Sequence, residues 1–174
     1  RDAASRDPRV RLIANDHRGK GYAVRSGMLG STGRFVLFTD ADLATPLSEL
    51  AKMLPPVEKG EYDIVVGSRE GLGAQRLGEP WYRHLMGRVF NMIVRWLVVG
   101  GFQDTQCGFK LFTGQAAHDL FPWLRLYGED AAPIKGSAVT AFDVEVLFLA
   151  VKLGYRGKDQ PVQWRYGEQS KVRT

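Results

Sequence analysis

The chain carries one cysteine, Cys107, which excludes an internal disulfide framework and any cysteine-rich zinc site. No run approaches the ~20 apolar residues of a membrane span. The nearest, Val89 to Phe102, is short and is interrupted by Asn91 and Arg95. The Gly-x-x-x-x-Gly-Lys-Ser/Thr phosphate loop and the Gly-x-Gly-x-x-Gly dinucleotide fingerprint are both missing, which argues against an ATPase or an NAD site. Repeats, low-complexity tracts and recognised nucleic-acid motifs are missing too. The three histidines, His17, His84 and His118, are scattered. Cys107 therefore has no evident partner for nucleophilic chemistry and reads as a small buried hydrophobe.

What is present is ordinary for a globular domain: 44% hydrophobic and 25% charged residues in a length of 174. That length suits a single domain, residues 1–174, with a core that needs no covalent staple. Lys and Arg number 24 against 19 Asp and Glu, a net charge of +5. This balance favours anionic partners such as phosphates or an acidic membrane surface. The bases are spread along the whole chain, which disfavours nucleic acid.

Apolar periodicity predicts alternating strands and helices. Arg9 to Ala14 is expected as a short strand, followed by turn residues Asn15 to Gly21 and a helix over Tyr22 to Ser31. Phe35 to Thr39 and Ile64 to Val66 are continuous apolar runs, the pattern of strands covered on both faces. Between them Thr45-Pro46 starts a helix, Leu47 to Leu54, which Pro55-Pro56 should stop. Trp81 to Val99 has the longest helical pattern, with His84, Arg88, Asn91 and Arg95 inside about 60° of arc. Asp104 to Phe112 reads as a loop entering a strand, Gly114 to Phe121 and Phe142 to Leu153 as helices, and Gln160 to Tyr166 as a last strand. The expected fold is α/β, a mainly parallel sheet flanked by helices, whose ligands lie beyond the carboxyl ends of the strands.

Two polar clusters fall at such ends. Asp40-x-Asp42 closes one buried strand, and strand alternation places both carboxylates on one side. All-oxygen ligation suits Mg²⁺ or Mn²⁺, which take one or two carboxylates together with phosphate and water. A solvated turn capping the next helix is the competing reading. Ser68-Arg69 closes the other strand, and the forked guanidinium of Arg69 suits a diphosphate or a carboxylate. Gly19-Lys20-Gly21 before a helix offers backbone donors and a cation for phosphate. Asp104-Thr105-Gln106-Cys107-Gly108-Phe109-Lys110 gathers an acid, neutral polar groups and a base around one turn. The polar stripe of 81–99 is either a solvated face or a surface for anionic head groups.

In this order, Gly-Lys-Gly-Tyr-Ala-Val-Arg-Ser-Gly-Met (19–28), Thr-Asp-Ala-Asp-Leu-Ala-Thr-Pro (39–46), Gly-Ser-Arg (67–69), Asp-Thr-Gln-Cys-Gly-Phe-Lys-Leu-Phe (104–112), Phe-Asp-Val-Glu (142–145) and Ser-Lys-Val (170–172) resemble the family-two inverting glycosyltransferases of the GT-A (Rossmann-like) fold. Within that family the likeness is greatest to the dolichyl-phosphate β-glucosyltransferases and their prokaryotic relatives, and it covers nearly the whole chain. The resemblance implies transfer of glucose from UDP-glucose to a polyprenyl (dolichyl) phosphate, with inversion, at the cytoplasmic face of a membrane.

It further implies that Asp42, with Asp40, holds a divalent metal on the donor diphosphate. Lys20 and Arg69 would bind the donor, and Arg83, Arg165 and Lys171 would serve the diphosphate or the acceptor phosphate. Asp104 is a candidate base or an orienting residue of the acceptor loop. The helix near 81–99 would contact the membrane surface. Mannosyl relatives carry a glutamine where Ala44 stands, so a third metal ligand from that position is absent. The family's opening Pro-x-Tyr-Asn-Glu and Asp-Asp-x-Ser motifs are not among these residues, and the chain is expected to be a fragment, incomplete at its N-terminal side. The rival readings are a related transferase using GDP-mannose or acting on a sugar hydroxyl, and a non-catalytic module that docks on anionic membranes.

Overall fold

A computed structural model describes residues 6–70, 73, 75–77, 102–128 and 142–165. The segment expected as the long helix, Trp81 to Val99, lies outside the described residues, as do Arg83 and Lys171.

Helix α1 is Lys20–Leu29. Strand β1, Phe35–Thr39, alternates half-buried and buried positions. A 3₁₀ turn over Leu47–Glu49 leads into helix α2, Leu50–Glu58, and then into the fully buried strand β2, Ile64–Ser68. Short β3 is Gln75–Leu77; β4 is Phe109–Thr113. Helix α3, Gly114–Leu120, starts on a Thr113 hydroxyl that accepts the Ala116 N–H. A 3₁₀ turn follows at Phe121–Trp123, then helix α4, Phe142–Lys152, and strands β5, Gly157–Pro161, and β6, Gln163–Arg165.

The main sheet runs β1-β4-β2-β5. β2 and β5 are parallel, whereas β4 is antiparallel to both β1 and β2, so the sheet is mixed. β1, β2 and β5 point the same way, and β4 is threaded between the first two against them. Strand alternation then sorts the core into two layers. Val36, Phe38, Ile64, Val66 and Phe112 face Met28 of α1, Ala116 and Leu120 of α3, and Val146 and Leu147 of α4. Phe35, Leu37, Val65, Phe109 and Leu111 face Met53 and Val57 of α2. Helices on both faces explain why these strands read as unbroken apolar runs.

Three expectations are corrected. Arg9 to Ala14 is not a strand: it runs exposed, with Val10, Leu12 and Ile13 in solvent and Arg11 donating to the Gly30 carbonyl. Short apolar alternation cannot hold a strand without a ladder partner, and none of the described strands pairs with it.

Pro55 and Pro56 lie inside α2 rather than ending it. A proline costs a helix its N–H bond and crowds the preceding turn. Here Met53, Pro56 and Val57 are buried in the core layer, and the Pro55 and Pro56 carbonyls accept from Lys59 at 3.1 Å and Glu61 at 3.0 Å. Burial of the last turn outweighs the missing donors.

The last strand divides at Val162, which is buried and donates to the Ser68 carbonyl at 3.0 Å. β5 on one side pairs with β2, and β6 on the other pairs in parallel with β3 in a separate two-stranded sheet.

Candidate functional site

Because β4 runs against its neighbours, its entry loop lies at the sheet edge where β1 and β2 end. The Asp40 N–H donates to the Gly108 carbonyl at 2.9 Å, one step beyond the β1–β4 ladder. Three sequence segments distant from one another, 40–44, 67–69 and 104–108, therefore form one site.

At the β1 end the chain turns sharply. The Leu43 N–H donates to the Asp40 carbonyl at 3.1 Å, and the Ala44 N–H to Asp42 Oδ1 at 3.1 Å. Leu43 takes a φ of 51°, a left-handed conformation that a leucine adopts only under constraint. The Arg165 N–H adds to that constraint by donating to the Ala44 carbonyl at 2.9 Å. The sequence-predicted Arg165, itself exposed, is thereby brought beside the aspartate turn.

Asp42 is exposed, and Asp40 is half-buried. Lys20, the first residue of α1, sits 2.6 Å from Asp40 Oδ1 and lies over the rings of Phe38 and Phe142 at 5.4 and 5.8 Å. Lys20, Asp40 and Asp42 rim an open cleft of about 860 Å³ between α1 and β1, floored by apolar residues such as Val24, Met28 and Phe38.

The β2 end is built differently. Asp104 is fully buried and both its oxygens bind Arg69: Oδ2 accepts from the backbone N at 3.0 Å and from Nε at 2.7 Å, Oδ1 from Nη2 at 2.9 Å. Burial pushes the Asp104 carboxyl up, but the Arg69 bonds and charge, with help from Lys110, more than offset it. The net shift is below the ordinary carboxylate range, so Asp104 stays ionised. An acid held in this way is a poor proton acceptor, and its geometry pairs it with Arg69. The guanidinium also lies over the Trp164 ring, 5.5 Å from its centroid.

Cys107 is buried, and burial together with the Asp104 charge pushes its thiol up to about 11, so it is no nucleophile.

Trp164 is not singled out by the sequence, and Lys110 and Asp143 stand in its motifs without an assigned role. Lys110 is fully buried on β4; its ammonium donates to the Cys107 carbonyl at 2.6 Å and to Asp143 at the start of α4. Asp143 and Trp164 sit on elements far along the chain, and no local spacing ties them to residues 40–110. Lys110 stood in a motif already singled out, but its partner was invisible.

For a divalent cation, the described residues offer two hard carboxylates at the rim of an open cleft. No group of three or more His, Cys, Asp or Glu able to hold a metal occurs among them. That donor set fits Mg²⁺ or Mn²⁺ bound partly through substrate phosphate and water, and it does not fit a closed protein cage.

The family model described as glycosyl transferase family 2 matches residues 1–118, about two thirds of the chain. The chain belongs to glycosyl transferase family 2. It is 36% identical over 169 residues to a dolichyl-phosphate β-glucosyltransferase of Dictyostelium discoideum, covering 94% of this chain and 48% of that protein. The human dolichyl-phosphate β-glucosyltransferase is 35% identical over 173 residues, with 94% and 48% covered. Glycosyltransferase AglD of Haloferax volcanii is 32% identical over 170 residues, 97% of this chain and 25% of its own length. The chain thus spans about half the length of the β-glucosyltransferases it matches.

Proposed function

We propose that this chain is the donor-binding and catalytic part of a glucosyltransferase that moves glucose from UDP-glucose to a polyprenyl (dolichyl) phosphate with inversion. The observation that carries the reading is the convergence of Asp40, Asp42, Lys20 and Arg69 on one sheet edge beside an open cleft. The family assignment and the substrate in the relatives' names support the reaction class.

The chemistry asks little of the protein as a base. A phosphate monoester has a second pKa near about 6 and is mostly dianionic at neutral pH. One of its oxygens attacks the anomeric carbon as the bond to the UDP oxygen breaks, and UDP leaves with the electron pair. The protein's task is to position two anions and to stabilise the charge that grows on the leaving diphosphate. Asp40 and Asp42 would hold Mg²⁺ or Mn²⁺, which supplies Lewis-acid neutralisation of that charge. Arg69, paired with Asp104 and lying over the Trp164 ring, presents a planar cation to the diphosphate, and Lys20 adds charge at the cleft rim. Arg165, with Arg83 and Lys171, is assigned to the acceptor phosphate. The segment 81–99 is assigned to contact with an anionic membrane surface on the cytoplasmic side. Among the described residues no helix is long and apolar enough to cross a membrane.

The deciding experiment is calorimetric titration of the 174-residue chain with UDP-glucose and Mn²⁺, with Asp42→Asn as control, followed by a transfer assay onto polyprenyl phosphate. Metal-dependent binding lost in the variant supports the reading. Preference for GDP-mannose or UDP-GlcNAc in competition would reassign the donor. Salt-sensitive liposome binding indifferent to Asp42→Asn, without nucleotide affinity, would favour the membrane-docking module instead.

A further inference from the structure

Gly108 sits in the loop entering β4, and its lack of a side chain has a definite cause. Among the described glycines, positive φ occurs at Gly19, Gly60, Gly73 and Gly154, and Gly108 is not one of them. Its φ lies outside the left-handed region that favours glycine. What forbids a side chain is Asp40: a Cβ built on Gly108 would fall into that carboxylate, 2.6 Å from Oδ1 and nearer still to Cγ and Oδ2. Contacts under about 3 Å are not tolerated by a carbon atom, so one side must move.

The same carboxylate is also held by Lys20 Nζ, 2.6 Å from Oδ1, and the Asp40 N–H is tied to the Gly108 carbonyl at 2.9 Å. Asp40 thus meets both a glycine surface and a cation, with its backbone fixed by the same glycine.

We propose that Gly108 is the positioning residue of Asp40: its bare Cα is the seat that sets the carboxylate's direction at the cleft rim, and hence its capacity to hold a divalent cation. The second half of this statement rests on the metal reading above; the first half does not. Lys20 alone cannot fix the direction, because its flexible stem and rotatable ammonium follow a carboxylate wherever it turns. The glycine can, because it acts by excluded volume.

Thermal unfolding of the 174-residue chain, Gly108→Ala, Asp40→Ala and the double variant, all without metal, reads the contact directly. Gly108→Ala is expected to lower the midpoint by roughly 4–8 °C, the shift of a modest overpacking strain in a chain of this size. In the Asp40→Ala background the added methyl meets no carboxylate, and the loss should fall to less than half. Equal losses in both backgrounds overturn the proposal. Where Gly108→Ala alone does not fold, a folded double variant supports the contact, and an unfolded double variant beside a folded Asp40→Ala overturns it. Titration with Mn²⁺ alone, followed by electron paramagnetic resonance, reads the consequence. Binding that depends on Asp40 should weaken at least tenfold in Gly108→Ala, and unchanged affinity overturns the positioning role. If the unaltered chain binds no Mn²⁺, the metal reading falls by itself, while the unfolding cycle still decides whether Gly108 seats Asp40.

Discussion

The two strand ends that make the site are opposites. At the β1 end, Asp42 is exposed and Asp40 half-buried at the rim of a cleft, with Lys20 on Asp40 and the Ala44 N–H on Asp42. At the β2 end, Asp104 is sealed and Arg69 is only 17% exposed, the two joined through two side-chain bonds and one backbone bond. The first arrangement places its carboxylates at an open rim. The second buries its carboxylate against a cation. The acidic residues thus divide into a pair at the cleft rim and a buried partner of Arg69, and burial is what separates them.

That contrast can be broken by exchange of charge for isosteric amide. Under the proposed function, Asp42→Asn is expected to lower glucosyl transfer by at least about 100-fold, the scale of removing one stabiliser of transition-state charge. Its unfolding free energy should stay within about 0.5 kcal/mol, since the site is exposed and the amide oxygen still accepts the Ala44 N–H. Transfer assays beside urea unfolding check both halves, and a large stability loss would erase the distinction.

Asp104→Asn should do the reverse in emphasis. It removes one charge of a mostly buried ion pair, with an expected loss of about 3 kcal/mol in stability. Urea unfolding at neutral pH measures it. Acid sharpens the same point. The Asp104 carboxyl lies below its unfolded value, so its contribution is complete above roughly pH 4 to 5 and is lost as pH falls through the folded value. The stability gap between the unaltered chain and Asp104→Asn should therefore be flat near neutrality and narrow below about pH 4. A gap that widens on acidification would contradict the pairing.

A smaller effect tests the scaffold away from the site. Thr113→Ala removes the side-chain acceptor of the Ala116 N–H at the start of α3 and should cost about 1 kcal/mol without altering donor affinity. Smallest is the response of Cys107 to a thiol reagent at pH 8. With its thiol pushed up to about 11 and sealed in the core, it should react only as fast as the chain unfolds.

Much of this was legible in order along the chain. The apolar run Phe35 to Thr39 predicts a strand with the observed bounds, because an unbroken run with turn residues on both sides leaves few alternatives. Asp40, Asp42 and Arg69 stood at the ends of such runs, and strand ends are where open α/β sheets keep their ligands. The misreadings share one cause. Arg9 to Ala14, Pro55-Pro56 and Val162 were judged on local pattern, and each was decided by neighbours distant in sequence: a missing ladder partner, a buried last turn, and a switch between two sheets.

The sequence by itself determined that two carboxylates close one buried strand and an arginine closes another, since alternation and apolar runs are local properties of the chain. The tertiary structure alone decided that β4 enters between those strands in the opposite direction. Strand order depends on long-range pairing that no periodicity encodes. That one reversal seats Asp40 on Gly108, locks Arg69 onto Asp104, and makes a single site of two strand ends.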